Sequence, residues 1–131
     1  MKKKLQILIG THNKGKFKEI SKLVSKKFRK ISPDSLNIKA PKETGRSFKS
    51  NSELKANYFF KKSKIISISD DSGLEVKALK NQPGIYSARF AKQRGGFKKA
   101  MQSILEQIKY KKDRRAKFFC SLSIKLSNKK I

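Results

Sequence analysis

The chain has 131 residues, 36% of them hydrophobic, and carries 35 Lys+Arg against 9 Asp+Glu for a formal charge of +26. That length holds one domain at most, with a thin core, and the single cysteine excludes an internal disulfide or a thiolate metal cluster. No apolar run approaches membrane-spanning length, and the run behind Met1-Lys2-Lys3-Lys4 is too short for a signal-peptide core, so the expectation is a single soluble, cytoplasmic domain over residues 1–131.

In chain order, residues 5–9 (Leu-Gln-Ile-Leu-Ile) read as a buried strand. Gly10-Thr11-His12-Asn13-Lys14-Gly15-Lys16 then leads into a helical pattern, with Phe17, Ile20, Leu23, Val24 and Phe28 on one face. A weak second strand is expected at 36–39, stopped by Ala40-Pro41. Ser47 is placed to cap a helix running to about residue 62, with Phe48, Leu54 and Phe59 inward. The apolar stretch 65–69 predicts a buried strand, which turns at Asp70-Asp71-Ser72-Gly73 into another. A loop follows at 81–84, then a third amphipathic helix carrying Phe97, Met101, Ile104, Leu105 and Ile108. Beyond the charged connector at 109–115, Ala116, Phe118, Cys120, Leu122, Ile124 and Leu126 alternate with Lys117, Phe119, Ser121, Ser123 and Lys125. This is a period-two strand whose apolar face should be buried, with Cys120 as a small core residue. Residues 127–131 suffice for a turn and not for a partner strand, so the chain reads as interrupted.

Two segments carry chemistry. Strand, glycine-containing loop and helix is the arrangement that aims backbone N–H groups at an anion. Thr11 and Asn13 add hydrogen bonds, and Lys14 and Lys16 offset phosphate charge; the spacing is not that of a Walker A loop. His12, the one histidine, is expected to serve through its backbone N–H more than as a base. Asp70-Asp71 sets two like charges side by side, an arrangement favoured by a divalent cation between the acids and an anionic ligand; a plain turn is the alternative. The overall charge attracts any polyanion. However, the lysines are spread along the chain and no helix-turn-helix, zinc-finger or aromatic RNA platform accompanies them, so nucleic acid is expected to bind non-specifically if at all.

Taken together, the chain resembles the inosine triphosphate pyrophosphatase (Ham1-like) family. The resemblance runs through Thr11-His12-Asn13-Lys14-Gly15-Lys16, Glu43-Thr44-Gly45 with Ser47-Phe48 and Asn51, Leu54-Lys55-Ala56, Asp70-Asp71-Ser72-Gly73-Leu74-Glu75-Val76, Pro83-Gly84-Ile85-Tyr86-Ser87-Ala88-Arg89-Phe90, Arg114-Arg115-Ala116-Lys117-Phe118 and Cys120. It implies an α/β fold, a mixed twisted sheet flanked by helices (Maf/Ham1-like), here truncated at its C-terminus. The implied reaction is hydrolysis of ITP, dITP or XTP to the monophosphate and pyrophosphate. The implied roles are Asp71 as proton acceptor, Glu43 and Asp71 as ligands to Mg²⁺, and Thr11, His12, Asn13, Lys14, Gly15, Lys16 and Ser72 as substrate contacts. Asp70 assists from behind, and a homodimer is expected. The related Maf-like enzymes carry a Ser-x-Arg-Arg loop that is absent here. The family's later Phe-Gly-Tyr-Asp and Ser-His-Arg segments, which help bind the nucleotide, are also absent. The isolated chain is therefore expected to show weak or no activity, with a non-catalytic remnant, half of a split enzyme or a basic nucleic-acid-binding protein as the alternatives.

Overall fold

A computed structural model describes residues 5–126. The basic start at 1–4 and the short tail at 127–131 lie outside the described residues. Among the described residues, β1 (Leu5–Ile9), β2 (Phe28–Ile31), β3 (Ser67–Val76), β4 (Gln82–Pro83) and β5 (Ala116–Lys125) form one mixed sheet in the order β2-β1-β3-β4, with β5 also pairing β3. The chain divides into two compact units, one running up to Asp70 and resuming at Ser121, the other spanning Asp71–Cys120.

In the first unit, β1 (Leu5–Ile9) lies between β2 (Phe28–Ile31) and the beginning of β3 (Ser67–Val76), parallel to both. Its register sets Leu5 against Phe28 and Ile9 against Ile68. A central parallel strand is covered on both faces, which is why this segment is almost continuously apolar. Ile7 and Ile9 pack with Ile20 of α1 (Lys14–Leu23) and Ile68, with Phe17, Val24 and Phe28 against them. Leu8, on the opposite face, is fully buried, as are Ala56 and Phe59 of α2 (Phe48–Ser63). The start of α2 is fixed as the sequence indicates. Ser47 accepts from the Ser50 N–H at 3.0 Å, and the Ser50 hydroxyl in turn takes the Ser47 N–H, so two otherwise unsatisfied donors are met reciprocally.

The second unit holds the rest of β3, the two-residue β4 (Gln82–Pro83) antiparallel to it, α3 (Ser87–Gln93), α4 (Phe97–Gln107) and the start of β5 (Ala116–Lys125). Val76, Ile104 and Ile108 form its core, with Leu74, Leu79 and Phe90 packed around them. Among the described residues no helix is long and apolar enough to cross a membrane.

Four expectations are corrected. The first helix stops at Leu23, which is exposed, and Phe28 opens the second strand instead of extending the helix. That strand lies at 28–31 and not at 36–39, where Asn37 takes a left-handed conformation (φ 55) after a single 3₁₀ turn. Asp70-Asp71-Ser72-Gly73 is not a turn; β3 passes straight through it. The last strand has the expected period but the opposite facing. Ser121 and Ser123 point inward to α2, Ser123 is buried, and Leu122, Ile124 and Leu126 are exposed, as is Cys120. On α4, Ala100 and Ile104 are buried, while Phe97, Met101 and Leu105 form an exposed stripe.

Candidate active site

The loop after β1 is built by close contacts. A Cβ at Gly10 would overlap the Ser69 hydroxyl and the Phe59 ring, so only glycine lets β1 enter the loop beneath α2. The Gly10 N–H donates to the Ile68 carbonyl at 2.7 Å, and the Gly10 carbonyl accepts from the Ser69 hydroxyl at 3.1 Å. Asn13 caps α1, its side-chain oxygen accepting from the Lys16 N–H at 3.1 Å, while its own N–H donates to Thr11 Oγ1 at 3.1 Å. The His12 ring closes the other flank. Nε2 lies 2.8 Å from the Ile38 carbonyl, which can only accept, so this nitrogen carries the proton. The ring therefore ties the loop to the 34–38 turn.

The first turn of α1 contains no acid and two lysines, Lys14 and Lys16. Cations at a helix N-terminus oppose its dipole, each costing typically 0.3–1 kcal/mol, roughly, when exposed. An anion placed there would reverse the sign of that term. Lys16 is partly compensated already, because its Nζ lies 3.1 Å from Oδ2 of Asp70.

A second wall comes from the 40–45 segment. Glu43 pairs with Lys55 of α2, Oε1 to Nζ at 2.8 Å, and the lysine side chain is largely buried. Two residues on, the Gly45 N–H donates to the buried Asn51 side-chain oxygen at 2.7 Å, which anchors the segment to the first turns of α2. A small cavity of about 170 Å³ brings Gly10, Thr11 and His12 together with Glu43, Lys55 and Phe59. The loop also lines a larger cavity of about 720 Å³, where Thr11, Asn13 and Lys14 are joined by Arg29, Lys30 and Asp34. The fold thus sets Thr11, His12 and Glu43 around one cavity, and Thr11, His12, Asn13 and Lys14 around another. Gly15 and Lys16 sit in the first turn of α1.

Asp70 and Asp71 are only 4% and 5% exposed. Successive side chains of a strand leave opposite faces, so the two carboxylates do not share one. Asp70 turns to Lys16; Asp71 and the half-buried Ser72 belong to the second unit. Lys55 is the contributor to which the sequence reading gave no role. A mid-helix lysine in a chain with 35 basic residues carries no signal of its own; only its spacing of 12 from Glu43 could have suggested the pair.

The model of the Ham1 family matches residues 7–131. The chain is 42% identical over 118 residues to a dITP/XTP pyrophosphatase of Haemophilus influenzae, covering 88% of this chain and 60% of that protein. It is 38% identical over 123 residues to a dITP/XTP pyrophosphatase of Zymomonas mobilis, covering 91% and 59%. Among solved structures, a HAM1 protein from Coxiella burnetii superposes with a TM-score of 0.82 at 28% identity, covering 92% of this chain and 62% of that one. The chain thus spans about three fifths of the length of the relatives it matches. With the match extending from within β1 over the Asn13-capped helix, the Glu43 segment and β3, the chain belongs to the Ham1 family.

Proposed function

We propose that this chain supplies the phosphate-holding and metal-holding portion of a pyrophosphatase that cleaves deaminated purine nucleoside triphosphates, such as dITP, XTP and ITP, between the α and β phosphates. The observation that supports it best is the grouping of an anion-accepting loop, Thr11 and His12, with the Glu43–Lys55 pair around one cavity. The matched relatives are named for dITP and XTP, which supports this substrate class.

In this reading the N–H groups of the α1 first turn, the Thr11 hydroxyl and Lys14 take the triphosphate oxygens, and Lys16 follows, held ready by Asp70. Ser72 touches the substrate. Asp71 takes the proton from the attacking water as the bond to the departing pyrophosphate breaks. A substrate with four negative charges repels an incoming hydroxide, so fixed positive groups aimed at the phosphates lower the barrier most. The donors offered by Glu43 and Asp71 are carboxylate oxygens, the type Mg²⁺ prefers, and among the described residues no group of three His, Cys, Asp or Glu side chains is gathered as a ready-made cage. Mg²⁺ takes one or two carboxylates and fills its octahedron with water and phosphate oxygens. Glu43 and Asp71 would hold it, and when bound it neutralises phosphate charge and favours hydroxide. A cytoplasmic homodimer is part of the same proposal.

The test is calorimetric binding of dITP with Mg²⁺ to the 131-residue chain, together with pyrophosphate release. Lys14→Ala and Lys16→Ala should each weaken binding roughly tenfold, the order expected for a charge-assisted phosphate contact. Asp71→Asn should abolish whatever turnover the chain shows while leaving it folded. Binding indifferent to both lysines would remove the loop from its role.

A further inference from the structure

The connector between α4 and β5 concentrates charge as the chain at large does not. Lys109, Lys111, Lys112, Arg114, Arg115 and Lys117 fall within nine residues that hold one acid, Asp113, whereas the whole chain has 35 basic residues in 131. All six are exposed. The segment is also held in shape. Ile108 is buried in the core of the second unit, and its carbonyl accepts from the Lys111 N–H at 2.9 Å and from the Arg114 guanidinium at 3.1 Å. The Arg115 carbonyl accepts from the Lys77 N–H at 3.0 Å. Asp113 is occupied locally, its two oxygens taking Nε and Nη2 of Arg115 at 3.1 and 2.9 Å. The one carboxylate of the segment is thus turned to Arg115 and not to the lysines.

In this basic turn stands Tyr110, 90% exposed, with Lys109 Nζ 5.6 Å from its ring centroid. A ring this bare adds nothing to the core, so packing does not account for it. Cations along a ridge with an aromatic face among them form the arrangement that holds single-stranded nucleic acid without regard to sequence: the cations follow the phosphates, and the ring stacks on a base, since every base has a π-face. A duplex keeps its bases stacked on one another and offers Tyr110 no free face. We propose that the connector at 109–117 is a binding surface for single-stranded nucleic acid, with Tyr110 stacking on a base and Lys109, Lys111, Lys112 and Lys117 meeting phosphates. The surface uses none of the residues assigned to dITP or Mg²⁺, and it stands or falls independently of the pyrophosphatase reading.

The probe is a labelled oligothymidylate of about 12 nucleotides, within the site size of sequence-tolerant binders, titrated with the full 131-residue chain and read by fluorescence anisotropy. Binding should weaken with salt, with a log–log slope of roughly −0.7 for each phosphate contact. Any polyanion is drawn to a chain at +26, so substitutions that leave the charge alone decide the matter. Tyr110→Ala should cost roughly tenfold in affinity, the order of one lost stacking contact, while Tyr110→Phe keeps the ring and the affinity. Both are made at an exposed position, and the melting temperature should not move. Lys111→Gln with Lys112→Gln should flatten the salt slope by roughly 1.4. Lys26→Gln with Lys27→Gln, an equally exposed pair, should leave affinity and slope nearly as they were. Indifference to Tyr110→Ala, equal losses from the two lysine pairs, or a duplex that loses as much as the single strand with Tyr110→Ala would each overturn the proposal. So would Tyr110-dependent capture by phosphatidylserine vesicles without binding of the oligonucleotide.

Discussion

Gly10 shows how little room the site leaves at a single position. Replacing it with alanine drives a methyl into the Ser69 hydroxyl and the Phe59 ring. Overpacking a filled interior typically costs about 1–3 kcal/mol, so Gly10→Ala should lower the urea midpoint accordingly. An unchanged midpoint would mean that α2 yields at no cost. Asp113 behaves differently because its half-buried carboxyl is reached by water. Hydrogen bonds from the Arg115 side chain and backbone, at 2.9 and 3.1 Å, hold its carboxyl down from 3.8 to about 2. A depressed carboxyl stabilises the fold above its unfolded value, and that contribution disappears as pH falls through the interval between 3.8 and about 2. Carbon-detected NMR should find Asp113 titrating near the bottom of that interval, and Arg115→Gln should return it toward 3.8. Sequence made some residues legible and hid others. Thr11 to Lys16 stand out because a glycine, polar side chains and a helical period meet there. Lys55 does not, being one basic residue among many.

At the scale of elements, α2 was readable to within a residue at both ends, since Ser47 and the following pattern agree with the observed cap. The segment it anchors gives a direct test. Asn51→Ala removes the acceptor of the Gly45 N–H, and losing a partner in a partly buried hydrogen bond costs about 1–3 kcal/mol. The change should appear as a lower melting temperature and faster amide exchange at Gly45; equal exchange rates would show the 40–45 segment held by other contacts. Elements misread from sequence failed for physical reasons. Phe28 satisfies a helical spacing and a strand register equally well, and only pairing with Leu5 decides between them. Asp-Ser-Gly has turn propensity, but β3 carries it as strand because ladder partners outweigh local preference. In β5 the period was correct and the facing was not. Alternation alone says that two faces differ, not which one finds a neighbour.

For the whole molecule, a charge of +26 on 131 residues opposes compaction. Salt shortens the reach of that repulsion to about 8 Å at ~0.15 M, so the thermal midpoint should rise from low ionic strength to that value. A flat response would show that the lysines are spaced too widely to feel one another. The class of fold, a mixed sheet flanked by helices, was implied by the Ham1-like resemblance, and the strand and helix periods along the chain agree with it. The division into two units was not, since no linker composition marks the passage from Asp70 to Asp71.

Asn51 and Ser52 are consecutive, yet one grips the backbone beside Glu43 and the other grips the terminal strand. A single peptide bond therefore joins the side chain that holds Gly45 to the one that holds Ser121 and Ser123. The opening turns of one helix thus hold both the segment that carries Glu43 and the inner face of β5.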